Sequence, residues 1–171
     1  MITAKAPGKL YIAGEYAVVE NGYPAILVAL NQFVTCSIKV SPADTGRIIS
    51  EQYHENSLLW RRQGDKMVVD QRDNPFAYIL SAISVTEEYA RSLDRQLQIY
   101  DIYIDSQLDS ANGKKYGLGS SAAVTVATVK ALCLFYDLPV DKDKLFKLAA
   151  IAHFAVQGNG SLGDVAASGY G

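Results

Sequence analysis

Apolar and polar residues alternate through positions 33–40: Val34, Cys36, Ile38 and Val40 share one face, and Thr35, Ser37 and Lys39 the other. A two-residue period of this kind predicts a strand with one buried face. Short apolar runs at 9–13 and 25–28, separated by the turn signal Asn21-Gly22, predict two more strands. Further strands are expected at 47–53 and 66–70, with 58–60 between them. The alternation returns at 98–105, where Ile99, Asp101, Tyr103 and Asp105 oppose Tyr100, Ile102 and Ile104.

The period then changes from two to about 3.6. Asn74-Pro75 supplies a helix cap and a first-turn proline, and Phe76, Ile79, Leu80 and Ile83 follow as one apolar stripe. Residues 120–136 are small, branched and apolar nearly all round, which predicts a central, buried helix. Asp141 is placed to cap a third helix reaching about residue 156. A glycine-rich turn at 158–163 leads into Asp164-Val165-Ala166-Ala167. Many strands followed by helices, with one strand between, indicate an α+β fold rather than a doubly wound sheet. The final Ser168-Gly169-Tyr170-Gly171 carries no charged tail or capping device and reads as a chain cut within a fold.

Composition narrows the function classes. The 171 residues are about half apolar, enough to bury a core. A net charge of −2 offers no broad attraction to nucleic acid or to an anionic membrane, so neither is expected as a partner. Anion binding must come from a local site. Cys36 and Cys133 lack neighbours at metal-ligand spacing and read as reduced, buried thiols. With no signal peptide and no apolar run long enough to cross a bilayer, the expected compartment is the cytoplasm.

Three glycine-bearing turns hold the candidate chemistry. In Pro7-Gly8-Lys9-Leu10-Tyr11-Ile12-Ala13-Gly14-Glu15-Tyr16, a cation at the mouth of an early strand precedes a carboxylate. A solvated lysine and an ordinary turn would look the same. In Tyr116-Gly117-Leu118-Gly119-Ser120-Ser121-Ala122-Ala123, a glycine-rich loop runs from a strand into a helix. Glycines let backbone approach an anion closely, and free N–H groups at a helix start point toward it. Either serine suits a cap, and a hydroxyl there also suits a phosphate-bound Mg²⁺. A plain capped helix fits the same pattern, and no lysine follows the last glycine as a Walker A loop requires. The third turn, Gly158-Asn159-Gly160-Ser161-Leu162-Gly163-Asp164, matches G-x-G-x-x-G. It follows a helix rather than a strand, which argues against a dinucleotide site.

His54 and His153 have no partner in sequence and read as ordinary surface or core residues. Eleven tyrosines and Trp60 are scattered and read as packing residues. Lys114 and Lys115 either screen phosphate charge or belong to a solvated loop.

In this order and spacing the turns resemble those of the GHMP kinases. Ala6-Pro7-Gly8-Lys9 with Gly14-Glu15-Tyr16-Ala17-Val18-Val19 is similar to the family's first motif, and residues 117–123 to its phosphate-binding second motif. The resemblance covers the whole chain but about half of such an enzyme. It implies that residues 1–171 are the family's N-terminal, ATP-binding domain, of the ribosomal protein S5 domain 2-like type, with a five-stranded mixed sheet packed on helices. A ferredoxin-like C-terminal domain, absent here, would close the cleft and be this chain's partner, and the chain alone would be inactive. Among family members the resemblance favours the phosphomevalonate kinases. Mevalonate kinases usually carry a proline in the aspartate turn and an upstream glutamate thought to hold Mg²⁺, whereas residues 152–157 contain no acid. Other members of the family, and a non-catalytic module keeping the fold, stay open as alternatives.

Residue by residue, the resemblance implies ATP and Mg²⁺ as cofactors and a small molecule as acceptor. Gly117, Leu118, Gly119, Ser120, Ser121 and Ala122 would hold the ATP phosphates, with Ser121 touching Mg²⁺. Lys9 and Asp164 would be catalytic, Lys9 bridging acceptor and γ-phosphate and Asp164 orienting Lys9. Glu15, Tyr16, Gly160 and Ser161 would join Lys9 in holding the acceptor.

Overall fold

The computed structural model describes residues 1–51, 57–69, 75–108 and 117–171. His54, the Asn74 cap, and Lys114 and Lys115 lie outside the described residues. Six strands, β1 (Ile2–Ala13), β2 (Ile26–Val40), β3 (Gly46–Ser50), β4 (Leu58–Gln63), β5 (Lys66–Val69) and β6 (Tyr100–Ser106), form one sheet in the order β1-β2-β6-β3-β4-β5. Four helices complete the fold: α1 (Ala77–Ser92), α2 (Ser120–Phe135), α3 (Lys142–Gln157) and α4 (Gly163–Tyr170). Among the described residues only β3 and β6 pair in parallel, so the sheet is mixed and the class is α+β, as the sequence indicates.

Two differences from the sequence reading concern the strands. The apolar runs at 25–28 and 33–40 belong to one long strand, β2, and the sheet has six strands rather than five. Both follow from hairpin pairing. β1 is long enough to ladder along nearly all of β2, and the Gly64-Asp65 turn, with Gly64 at φ +61°, folds β5 back on β4.

The core lies where the periodicities meet. Val34, Cys36 and Ile38 of β2 and Tyr100, Ile102 and Ile104 of β6 are buried on one sheet face. Phe76, Ile79 and Ile83 of the α1 stripe are buried too. Helix α2 contacts β1, β2 and all three other helices, which accounts for its apolar circumference. Burial pushes both the Cys36 and Cys133 thiols up to about 12, so they stay protonated and unreactive.

Two buried carboxylates are exceptions to apolar patterning, and each is fully partnered. Asp101, on what alternation marks as the polar face of β6, accepts from Arg47 N at 3.0 Å and from Arg47 Nη2 at 3.4 Å. Glu87, on the α1 face toward the sheet, accepts from Arg62 Nη1 at 3.0 Å, Tyr100 Oη at 2.7 Å and Tyr136 Oη at 3.0 Å. Burial, with the Glu87 charge adding to it, holds the Tyr100 phenol well above its ordinary range. This network ties β4, β6 and the end of α2 to α1.

Substituting Glu87→Ala leaves Arg62 without its counter-ion in a largely dry setting, and breaking such a pair costs about 3–5 kcal/mol. A urea titration should show a loss of that size with an unchanged slope. A loss below about 1 kcal/mol would place the network outside the core's energetics.

Candidate active site

The site begins with a break in the β1–β2 ladder. Pro7 pairs with Phe33 but Lys9 with Ala29, so Leu30, Asn31 and Gln32 stand opposite Gly8 alone. Pro7 has no N–H to offer, and at the irregularity the Lys9 N–H turns away to donate to Leu118 O at 2.8 Å. Backbone of β1 thus touches the loop that opens α2. The contact is close enough to demand glycine: a Cβ on Gly8 would lie 2.8 Å from Leu118 O.

The Lys9 side chain follows its backbone under that loop. Its Nζ donates to Gly117 O at 3.0 Å and sits 4.9 Å from the Tyr11 ring centroid, leaving Lys9 only 9% exposed. Gly119 crosses directly over it, and a Cβ at that position would meet Lys9 Cγ at 2.7 Å. One Nζ–H goes to Gly117, and an ammonium has three to give.

Helix α2 starts without a side-chain cap. Its N-cap is Gly119 in the left-handed region at φ +75°, and Ser120 and Ser121 are the first helical residues rather than the caps the sequence suggested. A glycine can reach this conformation, and its left-handed turn lets the loop fold down onto Lys9. The first α2 turn bond is Ala123 N to Gly119 O at 3.0 Å. The N–H groups of Ser120, Ser121 and Ala122 precede it and have no acceptor within the helix. Together with the helix dipole they form an anion-binding end beside a lysine ammonium.

The third turn arrives from α3 and α4. Asp141 caps α3 as its sequence position indicates, accepting from Lys144 N at 2.7 Å. Gly158 closes α3 in the left-handed region at φ +77°, which is why a glycine stands there without any dinucleotide. Ser161 Oγ lies 3.4 Å from Tyr11 Oη and accepts from Gly163 N at 3.3 Å. Gly163 lets the Tyr11 hydroxyl approach closely, since a Cβ there would stand 2.8 Å from Tyr11 Oη and displace it. Asp164, in the first turn of α4, accepts from Val165 N through Oδ1 at 2.8 Å.

Lys9, residues 117–122, Ser161 and Asp164 are therefore gathered around the irregularity in β1 and the start of α2, Gly160 beside them in the third turn. Glu15 and Tyr16 are different. They follow the end of β1, Tyr16 is 87% exposed, and neither side chain hydrogen-bonds to the cluster among the described residues. The expectation that Asp164 orients Lys9 is also not met by a contact: no ion pair joins them among the described residues. Lys9 turns to the Gly117 carbonyl, and Asp164 Oδ2 faces His153 Nε2 at 3.9 Å.

Two residues escaped the sequence reading. Tyr11 links the first and third turns, with its ring against Lys9 and its hydroxyl against Ser161. His153 is 2% exposed and faces Ser121 Oγ at 3.4 Å as well as Asp164. Burial lowers its proton affinity, with the Asp164 charge opposing, so the ring is neutral at pH 7. Their partners lie on other elements, so no local spacing marks them. The one usable signal was the Asp141 cap, which sets the length of α3 and puts His153 near its end.

An Mg²⁺ site would draw on Ser121 and Asp164, both oxygen donors of the kind this ion prefers. No group of three or more His, Cys, Asp and Glu side chains among the described residues could cage a metal. The donor set fits an ion that keeps waters and takes phosphate oxygens for most of its shell. No helix among the described residues is long and apolar enough to cross a membrane.

Comparison with known proteins identifies this arrangement. The family described as the GHMP kinases N terminal domain matches residues 77–171. The phosphomevalonate kinase of Streptomyces sp. (strain CL190) is 37% identical over 99% of this chain and 48% of its own length. The mevalonate kinase of Archaeoglobus fulgidus is 32% identical over 92% of this chain and 46% of its own. Among solved structures, Streptococcus pneumoniae phosphomevalonate kinase in complex with phosphomevalonate and AMPPNP superposes with a TM-score of 0.81 at 33% identity. That match covers 99% of this chain and 47% of the pneumococcal one. The chain spans about half the length of these relatives. With the family domain covering more than half of its residues and nearly all of its own fold laid over about half of theirs, the chain belongs to the GHMP kinases.

Proposed function

We propose that residues 1–171 form the ATP-binding domain of a cytoplasmic phosphotransferase that moves the γ-phosphoryl group of ATP to 5-phosphomevalonate, giving 5-diphosphomevalonate for isoprenoid synthesis. The observation that carries this reading is the Lys9 ammonium, nearly buried beneath the loop whose helix offers unpaired N–H groups. Phosphoryl transfer asks little of a protein beyond holding reactants in line and stabilising charge on the moving group. A buried cation beside an anion-binding helix end suits that task. The phosphomevalonate kinases among the relatives support the choice of acceptor.

In this reading the backbone of Gly117, Leu118, Gly119, Ser120, Ser121 and Ala122 wraps the ATP phosphates. Ser161 and Gly160 hold the acceptor with Lys9, and Glu15 and Tyr16 reach it from the turn after β1. Ser121 and Asp164 would hold Mg²⁺, which would supply charge neutralisation on the phosphate oxygens. An oxygen of the acceptor phosphate attacks the γ-phosphorus, the bond to the β–γ bridging oxygen breaks, and ADP leaves with the electron pair. A phosphate monoester, with a second pKa of about 6, is already mostly dianionic at neutral pH. No base is needed to activate it, whereas an alcohol acceptor would need one. Bringing two anions together makes Lys9 the residue on which turnover depends most. Turnover belongs to the longer protein, in which a further domain closes the cleft, and residues 1–171 alone are inactive in this reading.

Coupled assays of the intact protein with ATP and either phosphomevalonate or mevalonate test the acceptor. Lys9→Met should lower turnover about a thousandfold, the scale of removing a donor to developing charge. Asp164→Asn should cost less. Equal collapse in both variants with a preference for mevalonate would reverse the assignment to a base-catalysed mevalonate kinase. Gly119→Ala adds a left-handed strain of about 1–2 kcal/mol and a collision with Lys9. Titration calorimetry should then show an ATP analogue bound about tenfold more weakly, and unchanged affinity would remove this loop from the phosphate site.

A further inference from the structure

His153 stands in the last turns of α3, buried to 2% exposure, in a setting that an apolar ring would fill at lower cost. Its imidazole stacks on Tyr78 with centroids 5.1 Å apart and planes 29° apart. Tyr78 Oη donates to Gln157 Oε1 at 2.6 Å, and Ser81 Oγ donates to Ala152 O at 2.7 Å. Helix α1 thus clamps α3 on both sides of the ring and fixes its plane.

The two nitrogens have opposite surroundings. Nδ1 is buried with no hydrogen-bond partner. Nε2 faces Ser121 Oγ at 3.4 Å and Asp164 Oδ2 at 3.9 Å. A buried polar atom without a partner costs stability, so a ring kept there for packing alone would be better as phenylalanine. The proton position follows from charge. A lone pair on Nε2 would point at the Asp164 carboxylate, whereas an N–H there is attracted to it. The proton therefore sits on Nε2 and the bare lone pair on Nδ1.

We propose that His153 is a positioning residue of the phosphoryl-transfer site. Its single Nε2–H, directed at Ser121 Oγ at 3.4 Å and attracted by the Asp164 carboxylate 3.9 Å away, holds the first turn of α4 in register with the first turn of α2. The acceptor side and the nucleotide side of the site are thereby set at a fixed separation. This role rests on the reading of that site as a kinase centre.

The test uses the intact protein with His153→Phe and His153→Gln. Phenylalanine keeps the stacking on Tyr78 and removes the unpaired nitrogen, so thermal stability should hold or rise. Glutamine offers an amide N–H near the position of Nε2. Expected results are a kcat about 30-fold lower in His153→Phe with the KM for ATP changed less than about threefold, and recovery of most of that loss in His153→Gln. Wild-type turnover in His153→Phe, or equal turnover in the two variants, overturns the proposal. Nitrogen-15 NMR of labelled histidine in the wild-type protein at pH 8 gives a readout independent of activity and of how the variants fold. The ring should carry its proton on Nε2, and that resonance should move in Asp164→Asn. A proton on Nδ1, or no response to Asp164→Asn, also overturns the proposal. Should the protein phosphorylate neither acceptor, the kinase reading fails, and the NMR result still decides whether His153 holds Asp164.

Discussion

The rest of the site depends on one backbone hydrogen bond, from Lys9 N–H to Leu118 O. It exists because the β1–β2 ladder is interrupted after Pro7, freeing a donor that an unbroken hairpin would have consumed. Once β1 is joined to the loop before α2, the lysine side chain can only run beneath that loop. The glycines at 8 and 119 are then imposed by distance, since any Cβ would collide with the partner. A flaw in sheet pairing is what brings a cation to a helix N-terminus.

Around this contact the fold is arranged for rigidity. Helix α2 packs against β1, β2 and the three other helices, so its N-terminal amides are carried by a closely held element. Pre-set dipoles stabilise developing charge without reorganising, which is the physical advantage of carrying them on a packed helix. On the far side of the core, Glu87 and Arg62 lock α1 to the sheet, and α1 in turn clamps α3 at Ser81 and Tyr78. Stability and site geometry are linked through that helix.

Ionisable groups in the site are disposed in two layers. Lys9 lies beneath the loop that opens α2, while His153 and Asp164 lie beside Ser121. The imidazole is neutral because burial outweighs the nearby carboxylate. An acidic residue in its place would add negative charge beside Ser121 and Asp164. A donor without charge fits the phosphate acceptor proposed above.

Much of this was legible in the chain. Alternation marked Val34, Cys36 and Ile38 and the Tyr100, Ile102, Ile104 face as core, because a half-buried strand must show period two. The all-round apolar character of residues 120–136 announced a central helix, and Asp141 announced its successor. The three glycine-bearing turns were visible as turns, and their resemblance to a family suggested why they belong together. Pairing geometry lay beyond the sequence. It could not show that two apolar runs were one strand, that Gly119 rather than a serine would cap α2, or that Lys9 would turn to Gly117 and leave Asp164 to His153. Local pattern records which face of an element is buried, whereas contacts between residues 34 or 150 positions apart depend on how whole elements stack, and only the folded chain decides that.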